Sequence, residues 1–320
     1  MPSLKRSISV GVLLVCAFFL VFYMRNHFSD FRNISSISFP FIFTIALAFL
    51  LSLVVNGLFL KVLTVDFGID LSFSEYFSIS VVTSFGNIFL PMKGGAGFRA
   101  VYLKSRYNFD YSYFLSSLAG NYLIAFHVTS LVALAGIILL RINTGMFNLP
   151  AAGVFVGIAA LTAWGILFPP SALDWIPFKW PREKLGQILA GWRVTSRSRH
   201  TVLNLFGLAL LNVILGSTVT WCEFAAFHMR DASGEAIGFL QSVIFTSIGA
   251  LSILLSVTPA ALGIKESLLM FSSESLGISP SQALAVSLLD RTVTFVVLAL
   301  FFGFASIYLR KQVHAISTAR

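Results

Sequence analysis

Two short runs place a proline, small residues and a charge inside otherwise apolar sequence: Pro91-Met-Lys93-Gly94-Gly95-Ala-Gly-Phe-Arg99 and Pro259-Ala-Ala-Leu-Gly263-Ile-Lys265-Glu266. Proline removes a backbone donor and stops a helix, while glycine lets the chain turn or another group come close. A helix that restarts after the break presents free N–H groups, a ready seat for a phosphate. In the first run the helix is expected to restart after Gly97, with Arg99 beside its start. A guanidinium there can hold a phosphate through two parallel hydrogen bonds. In the second run Glu266 has three open roles: binding a cationic group, pairing with Arg291, or taking up a proton. Plainer readings stand beside these, with Arg99 as an interfacial anchor and Lys265-Glu266 at a solvated external helix start.

Three further charges lie deep in apolar stretches: Glu223 in TVTWCEFAAF, and the adjacent Asp290 and Arg291. An unpaired charge at the centre of a bilayer costs about 2.5–3.5 kcal/mol on insertion scales. Asp290 and Arg291 therefore form a structural ion pair or face a substrate. Glu223 is protonated, as a proton carrier or a neutral hydrogen-bonded side chain, or it faces a cavity. His127 reads as a satisfied core or interface histidine. The sequence has 2 cysteines, Cys16 and Cys222, both in apolar runs, with no CxxC and no metal-ligand spacing. There is no GxxxxGK[ST] loop, HExxH or GxSxG. No built-in ATPase, metal, cofactor or catalytic step is expected. Any energy for transport would come from a lipid gradient, from protons or voltage, or from removal of the product.

The elements that must position these residues follow from composition. Of 320 residues, 57% are hydrophobic and only 11% charged, and the mean hydropathy is +0.87. A soluble domain carries about 25% charged residues, so the chain reads as an all-α polytopic membrane protein. The net charge of +9 then reflects basic cytoplasmic loops facing anionic lipid rather than nucleic acid. Trp164, Trp175, Trp180 and Trp192 flank the basic loop 169–199 as interfacial aromatics. The 33 phenylalanines are lipid-facing or packing residues.

The apolar run Ile8 to Met24 follows Lys5 and Arg6 and lacks a small-x-small cleavage site, so it is expected to be an uncleaved first span. Seven stretches follow: Phe39–Leu63, Phe77–Leu90, Tyr111–Leu140, Ala151–Phe168, Val202–Met229, Ile237–Val257 and Ala283–Leu309. Phe77–Leu90 is short and polar, and Ile237–Val257 is rich in Ser, Thr and Gln; each ends in one of the proline-glycine breaks. Keeping the N-terminus and loop 169–199 in the cytoplasm requires an even number of crossings between them. The layout is six full spans plus two re-entrant hairpins entering from opposite faces. It puts 16 basic residues in cytoplasmic segments, both termini included, and 5 outside, with Arg291 in the membrane. Eight full spans are the alternative.

The two breaks share a frame. Each proline is followed four residues later by a glycine and then by a charge. A helix start comes about twenty residues on, at Asp110 and at Ser279-Pro280. Asn121 and Asp290-Arg291 fall at similar depth in the following span. Interrupted polar segments in corresponding halves point to a midplane binding site. The expected pseudo-repeats, about 39–141 and 200–310, form an inverted pair within a single domain covering 1–320.

The stretches PMKGGAGFRAVYL and TPAALGIKESLL, with ALAVSLLDRTVTF after them, resemble the lysylphosphatidylglycerol synthase transmembrane-region family of flippase-like proteins. The resemblance runs over roughly residues 8–310. It implies movement across a bacterial or archaeal inner or plasma membrane of an anionic or aminoacylated phospholipid, or of a polyprenyl-linked precursor. An accessory subunit beside a synthetase or glycosyltransferase, or a lipid-modifying enzyme, are the other activities considered. The family's site carries over onto Pro91, Gly95, Arg99, Pro259, Gly263, Glu266 and Arg291, with Lys93 and Gly94 beside them. Two departures bear on the headgroup: Ala-Ala follows Pro259 where Gly-Gly is usual, and Asn121-Tyr122 stands where an acidic-arginine pair often sits. No synthetase domain is present in the sequence, so lysyl transfer from tRNA is not expected.

Overall fold

A computed structural model describes residues 37–90, 94–145, 147–167, 196, 198–254 and 259–317. Pro91 and Lys93 lie outside these residues, as do the expected first span, Cys16, most of the basic loop 169–199, and Trp175, Trp180 and Trp192. The described chain is built of helices: α1 (Phe39–Val65), α2 (Phe73–Phe89), α3 (Gly95–Tyr107), α4 (Tyr111–Thr144), α5 (Leu149–Leu167), α6 (Arg199–Ala226), α7 (Phe239–Leu251), α8 (Ile264–Ser273) and α9 (Pro280–Ser317). Five of them, α1, α4, α5, α6 and α9, are long and apolar enough to cross a membrane. Their outward faces are apolar: Leu167, Phe304 and Phe39 are at least 75% exposed. That surface suits lipid and not water.

The other four helices form two hairpins, α2–α3 and α7–α8. At about 1.5 Å per residue, α2 with 17 residues reaches about 25 Å and α8 with 10 only about 15 Å. Both are shorter than a hydrocarbon core of about 30 Å. The stretch expected over Ile237–Val257 forms a helix only to Leu251. Ser252 then donates to the Gly249 carbonyl at 2.7 Å, and residues 252–254 are tightened into turns with bonds three residues back rather than four.

Polar contacts fix which end of the bundle each hairpin enters. At one end Lys61 pairs with Asp70 at 3.0 Å, Thr201 donates to Asp66 at 3.1 Å, and Arg106 donates to the Gln312 carbonyl at 2.8 Å. This end gathers the C-termini of α1, α3 and α9 with the N-termini of α2 and α6. At the other end Asn148 bonds Ser275, Ala232 N–H donates to the Gly277 carbonyl at 2.9 Å, and Gln282 donates to the Arg230 carbonyl at 3.1 Å. That end gathers the starts of α5, α7 and α9 with the ends of α6 and α8. The hairpins therefore enter from opposite ends. Each has an apolar collar near its base: Leu71, Tyr76, Ile79, Leu103 and Phe114 for the first, and Ile137, Ile244, Ile248, Leu269 and Leu276 for the second.

Candidate functional site

The first hairpin is closed at its base by Glu75. Ser72 and Glu75 form a capping box at the start of α2. The same carboxylate accepts from Tyr102 (2.8 Å) and Tyr107 (2.7 Å), and it meets Arg106 at 2.8 Å. At the tip, Leu90 is extended (φ −103, ψ 135), as a residue before proline must be. The helix restarts at Gly95, inside the glycine run and not after it, because α3 needs Gly95 for packing. A Cβ there would overlap the Thr83 carbonyl and lie 2.6 Å from Asn87 Oδ1, and one on Gly86 would lie 3.0 Å from Gly95 Cα. Gly95 thus serves close helix contact rather than an open approach for a ligand, and Gly94 is the residue capping the helix. Arg99 sits more than one turn into α3. Its Nε is buried without a hydrogen-bond partner, and among the described residues it has no ion-pair partner. Asn121 Oδ1 and Asn87 Oδ1 are likewise buried and unpartnered, and Tyr122 lies within electrostatic reach of Arg99.

The second hairpin is fixed at its tip. Arg291 Nε and Nη2 both lie 2.6 Å from Glu266 Oε1, and Nη1 donates to the Ala260 carbonyl at 3.1 Å. Glu266 also accepts from Gly263 N–H (2.8 Å) and Ser287 (3.2 Å). Of the three roles open to Glu266, the pairing with Arg291 is the one formed. Pro259 opens a 3₁₀ turn to Ala261, and Ala260, Ala261 and Gly263 have φ of 50°, 53° and 80°. The departure to Ala-Ala thus puts two Cβ atoms in the left-handed region, at a cost of about 1–2 kcal/mol each. The Arg291 bond to the Ala260 carbonyl helps hold that strained turn. At its base, Gln241 does what Glu75 does in the first hairpin: it accepts from Gly238 N–H (2.7 Å) and donates to the Leu276 carbonyl (3.0 Å).

Lys265, expected in an external segment, points inward and pairs with Asp290 at 2.6 Å. Its fixed position on the first turn of α8 places it opposite the facing span. Asp290 lies ten residues after the start of α9, as Asn121 lies ten after the start of α4. Between the hairpins lies a cavity of about 390 Å³. Glu223, Lys265 and Asp290 line it, with Asn87 from the first hairpin, Thr246, and Ala260 and Ala261 from the second break. Glu223 is 1% exposed. Arg99 does not reach this cavity. It lines a separate cavity of about 380 Å³ with Thr83, Phe98, Phe302 and Arg310, near the C-terminal end of α9. His127 bonds Thr162 at 3.0 Å, in α5.

Sequence reading missed Glu75 and the inward turn of Lys265. A signal for the first was present: Ser72-x-x-Glu75 is a helix-start pattern, and an acid in so apolar a chain needs a partner.

Long apolar helices with broken helical hairpins between them define a polytopic helical membrane protein. The family model for the lysylphosphatidylglycerol synthase TM region matches residues 7–301, and the chain belongs to that family of lipid-associated membrane domains. No curated protein matches the chain.

Proposed function

We propose that the protein moves a lipid with a polar headgroup between leaflets, the two hairpins being re-entrant from opposite faces of the bilayer. The substrate is an anionic or aminoacylated phospholipid, or a polyprenyl-linked precursor. The observation that carries this reading is the polar cavity where the first hairpin meets the break of the second. Irregular backbone at membrane depth survives only where protein or water satisfies it, and here it borders a cavity large enough for a headgroup. Arg99 is a cation without a carboxylate among the described residues, facing a second cavity whose walls, Phe98 and Phe302, suit an acyl chain. It receives the lipid phosphate, with Arg310 at the rim. The six-span layout, counting the apolar run Ile8 to Met24, puts both termini in the cytoplasm of a cell with the protein in its inner or plasma membrane. No bond is made or broken in the lipid.

Purified protein in liposomes carrying labelled anionic lipid should speed exchange between leaflets. Arg99→Ala should slow it by about tenfold or more, the worth of a hydrogen-bonded charge contact. A changed headgroup in place of a moved lipid would show an enzyme. Unchanged exchange with and without protein would leave the accessory-subunit role.

A further inference from the structure

The charges around the central cavity do not balance. Lys265 is engaged by Asp290 at 2.6 Å, and the neighbouring Arg291 by Glu266. Glu223 has no such partner: no cation lies within ion-pair distance among the described residues, and its Oε1 is buried without a hydrogen bond. Of the hydroxyls that line the cavity, Thr246 donates to Thr220 at 2.9 Å, Ser252 to the Gly249 carbonyl and Ser287 to Glu266, and none of them bonds that oxygen. A carboxylate with one oxygen buried and neither a cation nor a hydrogen bond at that oxygen takes a proton in preference to a bare charge. The same carboxyl borders the cavity, so water entering there can deliver and remove that proton.

We propose that Glu223 is a proton-binding site whose loading and release drive the lipid movement proposed above, on which the driving role rests. In the state described, a proton from cavity water bonds to a Glu223 oxygen. When the hairpins shift and the cavity opens to the other face, that O–H bond breaks and the proton leaves to water on that side. Lys265 is the natural counter-charge during the shift, being the one cation among the described residues that line the cavity, and held by a single carboxylate. The groups facing Glu223 are few. α9 brings Asp290 and α8 brings Lys265, and Cys222 adjoins it on α6. α1, α2 and α7 bring Ser52, Asn87 and Thr246, none of which titrates in the physiological range. On α4, His127 reaches Phe206, far down α6, Tyr122 lies by Arg99, Arg141 sits over the Phe147 ring, and Tyr111 and Tyr113 are in its exposed first turn.

Two measurements on the full chain in liposomes test this. Infrared difference spectra across a pH titration should show a protonated-carboxyl band that disappears in Glu223→Gln. With labelled lipid and an imposed pH gradient of one unit, at clamped voltage, the final leaflet distribution should be biased by up to about tenfold, the ratio of proton activities. Glu223→Gln should abolish that bias. A band unaltered by Glu223→Gln, a wild-type distribution indifferent to the pH gradient, or a bias that follows a sodium gradient instead would each overturn the proposal. If the band is present and lost in Glu223→Gln but no lipid moves, the proton site stands and the translocation reading falls.

Discussion

The two hairpins share a frame and neutralise their charges differently. The first is tied at its base, where Glu75 gathers two tyrosines and an arginine, and its tip is packed through bare glycine backbone. Its tip-side cation, Arg99, has no carboxylate among the described residues. The second is tied at its tip, where Glu266 and Arg291 close on one another and on the strained turn at Ala260. Asn121 and Asp290 occupy matching depths, yet only Asp290 supplies a charge. A hairpin whose cations are each met by a carboxylate offers none to an anionic ligand. A half that leaves a cation open has something to offer an anionic ligand. The difference assigns the two halves different work within one architecture.

Breaking the second hairpin's ion pair should have the largest effect. Arg291→Ala leaves Glu266 buried and unpaired and frees the Ala260 carbonyl, and it should cost about 3–5 kcal/mol. Thermal unfolding in detergent would show this as a large drop in midpoint, and Glu266→Gln in the same chain should recover part of it. In the first hairpin the equivalent weak point is steric. Gly95→Ala should cost about 1–3 kcal/mol because backbone must move. Gly97→Ala, inside α3 and with nothing within 4 Å of the added Cβ, should cost nothing and gain up to about 1 kcal/mol.

A substitution that makes the halves alike sharpens the contrast. Asn121→Asp places a carboxylate at the depth Asp290 occupies, next to Tyr122, which lies within electrostatic reach of Arg99. Lipid exchange should fall by about tenfold with no loss of thermal stability. Equal exchange in this variant would show that a carboxylate at this depth does not compete with the lipid for Arg99. A small gain is expected at the turn: Ala261→Gly removes a Cβ from a left-handed position and should raise stability by about 1 kcal/mol. The same change at Ala285, inside α9, should act in the opposite direction, since glycine within a helix destabilises by about 1 kcal/mol.

Much of this framework was legible because its signals are local. The extended Leu90 before a proline, the starts at Asp110 and Pro280, and the polar character of α2 are all written within a few residues. The length of α7 was not, because its end is set by Ser252 turning back on Gly249, which hydropathy does not register. Pairings across the fold were harder. Glu75 meets Tyr102 and Tyr107 only after the chain doubles back, and Lys265 reads as external until α8 is placed against α9. The glycine run reads in sequence as an open ligand seat, and the structure uses Gly95 for contact with Thr83 and Asn87. Arg99 stands out in sequence as a cation beside the first break. Its separation from the central cavity depends on the hairpin's packing and is invisible there.

The most direct test of the central arrangement, hairpins entering from opposite faces to frame a polar cavity, is labelling of single cysteines at their exposed bases. Asn108→Cys and Ser275→Cys are suited to it, each in a chain where Cys16 is serine and Cys222 alanine. In intact cells a membrane-impermeant thiol reagent should modify Ser275→Cys at once and Asn108→Cys only after the membrane is opened. Modification of both from the same side would contradict the account.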